Sequence, residues 1–218
     1  MAMADPPDPG RLLTALTTEH FTLQGARSAT TSESAARSSL FLGSVSSALV
    51  ALGFLASVSG GESALFRTFA LTALPTLCVL GVTTFVRLVE LGTEDILYGR
   101  AINRIRNHYL ELAGQQARMF MMGANDDAPG VLANMGLRPR PLQLYLTNSF
   151  AIGVVTAVLG GSTVALAVGA ITGAPLGVDV ACGAVVALAI VPALMAYSRR
   201  HYGMAPPLDE PLYPTPGG

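Results

Sequence analysis

Three clustered arginines and one isolated pair of opposite charges are the residues whose spacing could do chemistry in this chain. Arg100, Arg104 and Arg106 fall beside Tyr98 and Tyr109. Guanidinium groups gathered this way can bind anionic lipid headgroups or a phosphate ligand. A solvated basic face that only orients the chain in a bilayer is the plainer alternative. Arg67 and Asp179 lie at the edges of long apolar runs. They could pair across a bundle, act as a gate or selectivity contact, or simply snorkel to an interface.

Other chemistry is poorly served. His20, His108 and His201 all fall outside the apolar runs, and there is no H-E-x-x-H, Gly-x-Ser-x-Gly, C-x-x-C or Walker loop. Cys78 and Cys182 sit inside apolar runs and read as small buried residues rather than a disulfide or metal pair. Asn125-Asp126-Asp127 is too short for a calcium loop and reads as a turn or helix cap. No metal, cofactor, catalytic constellation or nucleic-acid partner is expected.

The elements that must position these residues are set by charge-free sequence. Residues 38–61, 68–86, 141–178 and 180–198 contain no Asp, Glu, Lys or Arg. Roughly 20 apolar residues of helix cross a hydrocarbon core about 30 Å thick. The chain is 51% hydrophobic and 12% charged, against about 25% charged in a soluble domain. This predicts an all-α polytopic membrane protein with four transmembrane helices, at about 31–58, 64–88, 145–171 and 177–198, forming two hairpins.

Charge sets the expected direction. All 13 basic residues are Arg. Arg11, Arg27, Arg37, Arg87, Arg100, Arg104, Arg106, Arg118, Arg138, Arg140, Arg199 and Arg200 fall on one side, and only Arg67 on the other. Basic flanks stay cytoplasmic. The expectation is therefore a multi-pass protein of the plasma (cytoplasmic) membrane with both termini inside. Glu62 and Asp179 at the outer helix starts, and Arg87, Arg199 and Arg200 at the inner ends, suit the helix dipoles.

The expected organisation has five parts. Residues 1–30 are a cytoplasmic arm, partly disordered, with a surface helix over 11–29. Residues 31–92 are the first hairpin, opened by the capping-box pattern Thr30-Thr31-Ser32-Glu33. Pro75 should kink its second helix, with Thr72 helping the freed backbone. Residues 93–144 are a cytoplasmic helical insert, restarted at Gly92-Thr93-Glu94-Asp95. Tyr98, Ile102, Ile105, Tyr109 and Leu112 form a heptad-like seam on it, for self-association or for packing on the cytoplasmic extension of the first helix. Turn and short-helix signals follow over 123–141. Residues 145–198 are the second hairpin, and 199–218 a Pro-rich cytoplasmic tail. Pro211-Leu-Tyr-Pro214 fits P-x-x-P, but the composition reads as a plain disordered tail.

One further pattern lies within the spans. At an offset of 110 residues, Ser39, Gly43, Ser46, Val50, Gly53 and Ser57 align with Ser149, Gly153, Thr156, Gly160, Thr163 and Ala167. The spacing keeps each set on one helix face and hints at duplication. Gly153, Ala157, Gly161, Ala165 and Gly169 add a ladder of small residues. Small residues let helices approach closely in lipid. The stripe is thus a structural helix interface or, through its hydroxyls, the wall of a narrow polar conduit in an oligomer.

No acid or base lies at the centre of a span, so proton coupling is not indicated. The expected function is a homo-oligomeric small channel or membrane-acting effector controlled from the cytoplasmic side. A non-conducting scaffold or accessory subunit for a cytoplasmic partner is the alternative, and a small-solute transporter a weaker one. The expected partners are the bilayer, further copies of the chain, and a cytoplasmic protein or anionic ligand.

Overall fold

The computed structural model describes residues 8–61, 63–137, 147–173, 175–204 and 210–216, with no side chains at 203 and 204. Among the described residues all regular structure is helical: α1 Pro9–Ser59, α2 Ala64–Ala113, α3 Ala128–Asn134, α4 Asn148–Thr172 and α5 Leu176–Met204, with a 3-10 turn at Gly114–Met119. Four of these, α1, α2 with its 3-10 extension, α4 and α5, are long and apolar enough to cross a membrane. The described chain is all-helical, with four helices that could span a membrane. Expectations resting on Glu62, Arg138 and Arg140 lie outside the described residues.

Two expected helix boundaries do not occur. The surface helix at 11–29 and the span beginning near 31 are one helix, as are the second span and the insert helix. The 51 and 50 residues of α1 and α2 are each more than twice the roughly 20 that a bilayer core requires. Capping residues stop a helix only when its neighbours also leave helical geometry, and nothing here compels that. No proline lies inside α1 after its first residue, where proline is tolerated. Asp8 Oδ1 accepts from Gly10 N at 3.1 Å and caps the start. Thr30, expected to cap a new helix, instead donates to the Arg27 carbonyl at 2.8 Å within the continuous one. Thr93 is buried mid-helix. α2 also continues through Pro75, where Thr72 Oγ1 donates to the Thr68 carbonyl at 2.8 Å. True ends carry positive φ: Gly60 at 79°, Gly114 at 50° and Gly173 at 61°, a region that favours glycine.

The chain divides into two compact units. The first is an apolar unit of residues 33–91 and 141–205. Its core joins Phe41, Val45 and Leu52 of α1 to Leu74, Leu77, Phe85 and Val89 of α2 and Ile152 and Leu159 of α4. The α1 members recur at spacings that keep them on one face. Thr147 caps α4 by accepting from Phe150 N at 3.2 Å. Helix α5 runs past the expected end at 198 to Met204. At the polar end of the unit Glu33 accepts from Arg37 at 2.7 Å and from Arg87 at 3.1 Å, and Arg87 also reaches Glu90 at 3.2 Å.

The second is a polar unit of residues 1–32, 92–140 and 206–218. Arg27 and Asp95 form a two-point pair in it, with Nε to Oδ1 at 2.8 Å and Nη2 to Oδ2 at 3.1 Å. Val131 of α3 is buried and packs where Gly99 of α2 leaves room. The segment 210–216, expected to be a plain disordered tail, is seated in this unit through the contacts described below. Composition alone missed this, because its partners are more than eighty residues away in the chain.

Candidate functional site

The two aligned stripes have different surroundings. On α1, Ser39, Gly43, Ser46, Val50, Gly53 and Ser57 are all exposed, on the face opposite Phe41, Val45 and Leu52. A methyl group added at Gly43 or Gly53 would meet nothing within 4 Å. On α4, Ser149, Gly153, Thr156 and Gly160 are buried, and Thr163 is half-buried. Phe85 packs over Gly153, and Ile190 of α5 packs over Gly160. Gly161 meets Gly183 of α5 backbone to backbone. The same spacing therefore makes an internal packing surface on α4 and an uncovered face on α1. The hydroxyls are largely spent within their own helices: Thr156 donates to Ile152 O at 2.7 Å, Thr163 to Leu159 O at 2.8 Å and Ser57 to Phe54 O at 2.8 Å.

The seam of α2 packs within the polar unit. Ile102 and Ile105 are buried, Tyr98 and Tyr109 half-buried, and Leu112 remains 61% exposed. The Tyr109 ring lies 5.7 Å from the ring of His20 on α1. Tyr109 Oη and His20 Nδ1 are both buried without a hydrogen-bond partner. Beyond the seam, Leu112, Met119, Phe120, Met121 and Met122 form an exposed apolar stretch.

The three arginines converge on the loop before α3. Arg100 Nε donates to the Asp126 carbonyl at 2.8 Å, and Arg104 Nε to Asp126 Oδ2 at 2.7 Å. Arg106 reaches Asn103 Oδ1 and the Gly123 carbonyl, each at 3.3 Å. Asn103, itself buried, donates to the Asn125 carbonyl at 2.8 Å and accepts from Asn134 at 2.9 Å.

Asp126 is the centre of this arrangement and is fully buried. Besides Arg104 it accepts from Leu212 N at 3.1 Å and Tyr213 N at 2.8 Å, and its own N–H donates to the Tyr213 carbonyl at 3.1 Å. Asp127 caps α3 by accepting from Gly130 N at 2.8 Å, and binds Thr215 through the backbone N–H and the hydroxyl, each at 2.7 Å. Asn125 Nδ2 donates to the Pro214 carbonyl at 3.1 Å. Burial pushes the Asp126 carboxyl up, but the N–H groups of Tyr213 and Leu212 and the Arg104 guanidinium outweigh it and hold the group below the usual carboxylate range. At Asp127 burial again pushes up, and the donors of Thr215 and Gly130 bring the net shift down. Asp127 is the helix cap the sequence suggested; the binding of residues 212–215 was not foreseen. A readable signal was the placing of prolines at 211, 214 and 216 around the donors at 212, 213 and 215.

At the far end of the apolar unit, Arg67 and Asp179 line one cavity of about 530 Å³ with Leu71, Ser162, Gly169 and Leu176. Asp179 lies against Gly169, and its Oδ1 is buried without a hydrogen-bond partner.

The described residues define an all-helical chain with four helices that could span a membrane. Comparison with known protein families, curated proteins and solved structures finds no match to the chain.

Proposed function

We propose that this protein is a self-associating, multi-pass protein of the plasma (cytoplasmic) membrane, working as a small channel or membrane-acting effector. α1 with α2, and α4 with α5, would form the two transmembrane hairpins. The polar unit would be the cytoplasmic control element, with both termini inside, a direction supported by the Arg distribution. The single observation that carries the reading is the uncovered α1 stripe. Gly43 and Gly53 present bare backbone between hydroxyl residues, opposite the core face. In lipid, such a surface gains most by close approach to a second helix. The stripe would be the interface between copies or the wall of a conduit between them.

Native mass measurement in mild detergent tests association, and flux into liposomes holding pure protein tests conduction. An oligomer that Gly53→Leu reduces to monomer supports the reading, whereas a wild-type monomer removes it. Flux lost in Gly53→Leu supports the channel form; no flux from an intact oligomer leaves the effector form.

A second reading, a non-conducting scaffold for a cytoplasmic protein, is favoured by the exposed stretch Met119–Met122, where Met121 is 99% exposed. Exposed Met-rich surfaces suit adaptable protein contacts. Polar replacement of Met119, Phe120 and Met121 would then release a co-purifying partner without changing the oligomer.

A further inference from the structure

We infer that the loop Asn125-Asp126-Asp127, with Arg104 behind it, is a peptide-binding site for a proline-punctuated segment of the pattern Pro-Leu-Tyr-Pro-Thr-Pro, and that residues 211–216 are its resident ligand. The argument starts from the ligand's hydrogen-bond inventory. Prolines 211, 214 and 216 have no N–H. The remaining N–H groups, at Leu212, Tyr213 and Thr215, all go to the carboxylates of Asp126 and Asp127, at 3.1, 2.8 and 2.7 Å. Every backbone N–H of the segment is used, and each proline falls where no N–H is needed.

The receptor side is equally complete. Asp126 spans two successive N–H groups, one on each oxygen, while Arg104 supports Oδ2 from behind. Asp127 takes the Thr215 N–H on one oxygen and its hydroxyl on the other. Asp126 N and Asn125 Nδ2 return donors to the carbonyls of Tyr213 and Pro214. Prolines restrict the segment before it binds, which lowers the entropy cost of ordering it. Leu212 is 61% exposed and Tyr213 half-buried, while the hydrogen bonding is carried by the main chain and Thr215.

All these contacts lie within 212–215, so the site reads a short motif and does not need the covalent connection. The same segment of a second copy would then take the place of 211–216. The connection raises the local concentration of the resident segment to about the millimolar range, so competitors are disfavoured while it is seated.

The test uses the full chain with a protease site between Met204 and Glu210, cut after purification in detergent and cleared of the freed segment. A fluorescent peptide of residues 210–218 is titrated to millimolar concentration and followed by anisotropy. Saturable binding to the cut protein, with at least tenfold weaker apparent binding to the uncut chain, is expected. A peptide N-methylated at the Tyr213 nitrogen should bind at least tenfold more weakly, and this control leaves the protein untouched. Asp127→Asn should weaken the unmodified peptide severalfold. No saturable binding to cut protein that keeps its helical signal, equal binding to the uncut chain, or indifference to N-methylation overturns the inference.

Discussion

Gly161 of α4 and Gly183 of α5 bring two helix backbones into direct contact: a methyl group on either would lie 2.5 Å from the carbonyl oxygen of the other. Next nearest, at 2.9 Å, are the Cβ of Ala187 to the group added at Gly161 and the Cβ of Ala165 to that added at Gly183. No side-chain rotation can relieve a clash with a carbonyl oxygen. Gly161→Leu or Gly183→Leu should therefore lower the thermal midpoint in detergent, at an overpacking cost of about 1–3 kcal/mol or more. Gly43→Leu on the open face of α1 meets nothing within its own chain and should leave the midpoint of the dissociated monomer unchanged. Equal loss from the α1 and α4 substitutions in the monomer would show that the α1 face is packed within the chain.

Arg27 and Asp95 should matter more than the ion pairs around Glu33. Arg27 and Asp95 are 25% and 18% exposed, whereas Glu33, although it too meets Arg87 at two points, is 36% exposed, with Arg87 and Arg37 at 30% and 46%. Asp95→Asn should cost about 1.5–3 kcal/mol, the range for hydrogen bonds to charged groups. Glu33→Gln should cost less, and the loss should shrink in high salt. Chemical denaturation of each variant at two ionic strengths separates the cases.

The seating of 212–215 should be lost in acid. Asp126 and Asp127 titrate below the ordinary Asp value of 3.8 in the folded chain. A lowered folded value means the ionised groups stabilise the contact fully above the unfolded value. That contribution falls as the pH drops below the unfolded value and is gone below the folded one. Amide exchange at Leu212, Tyr213 and Thr215 should be slow at pH 6 relative to Asp126→Asn, and this protection should begin to fall below about pH 4 and decline further as the pH drops through the folded values. Protection unchanged down to pH 2 would contradict the carboxylate contacts.

A negative charge on Thr215 should expel the segment. Its hydroxyl lies 2.7 Å from Asp127 Oδ1, and like charges at this range repel. Thr215→Glu, or a phosphate on Thr215, should expose residues 210–216 to limited proteolysis. Thr215→Val keeps the backbone donor and should loosen the segment by only about 0.5–1.5 kcal/mol.

Local sequence sufficed where the physics is local. Charge-free runs of helix length admit few solutions, so the four apolar helices were legible from residue type alone. The same holds for Asp127 as a cap, because its partner Gly130 is three residues away. Thr30 and Gly92 misled as boundaries because a capping residue does not end a helix whose neighbours stay helical. Burial was illegible for the stripes: Gly43 and Gly153 stand in equivalent patterns, yet one is bare and the other lies under Phe85. What covers a helix face depends on which other helix reaches it, and no single-helix pattern contains that. The joining of Asp126 to Tyr213 belongs to the same class. Those residues stand 87 positions apart, and only the folded chain brings an acidic loop to the proline-spaced donors that satisfy it.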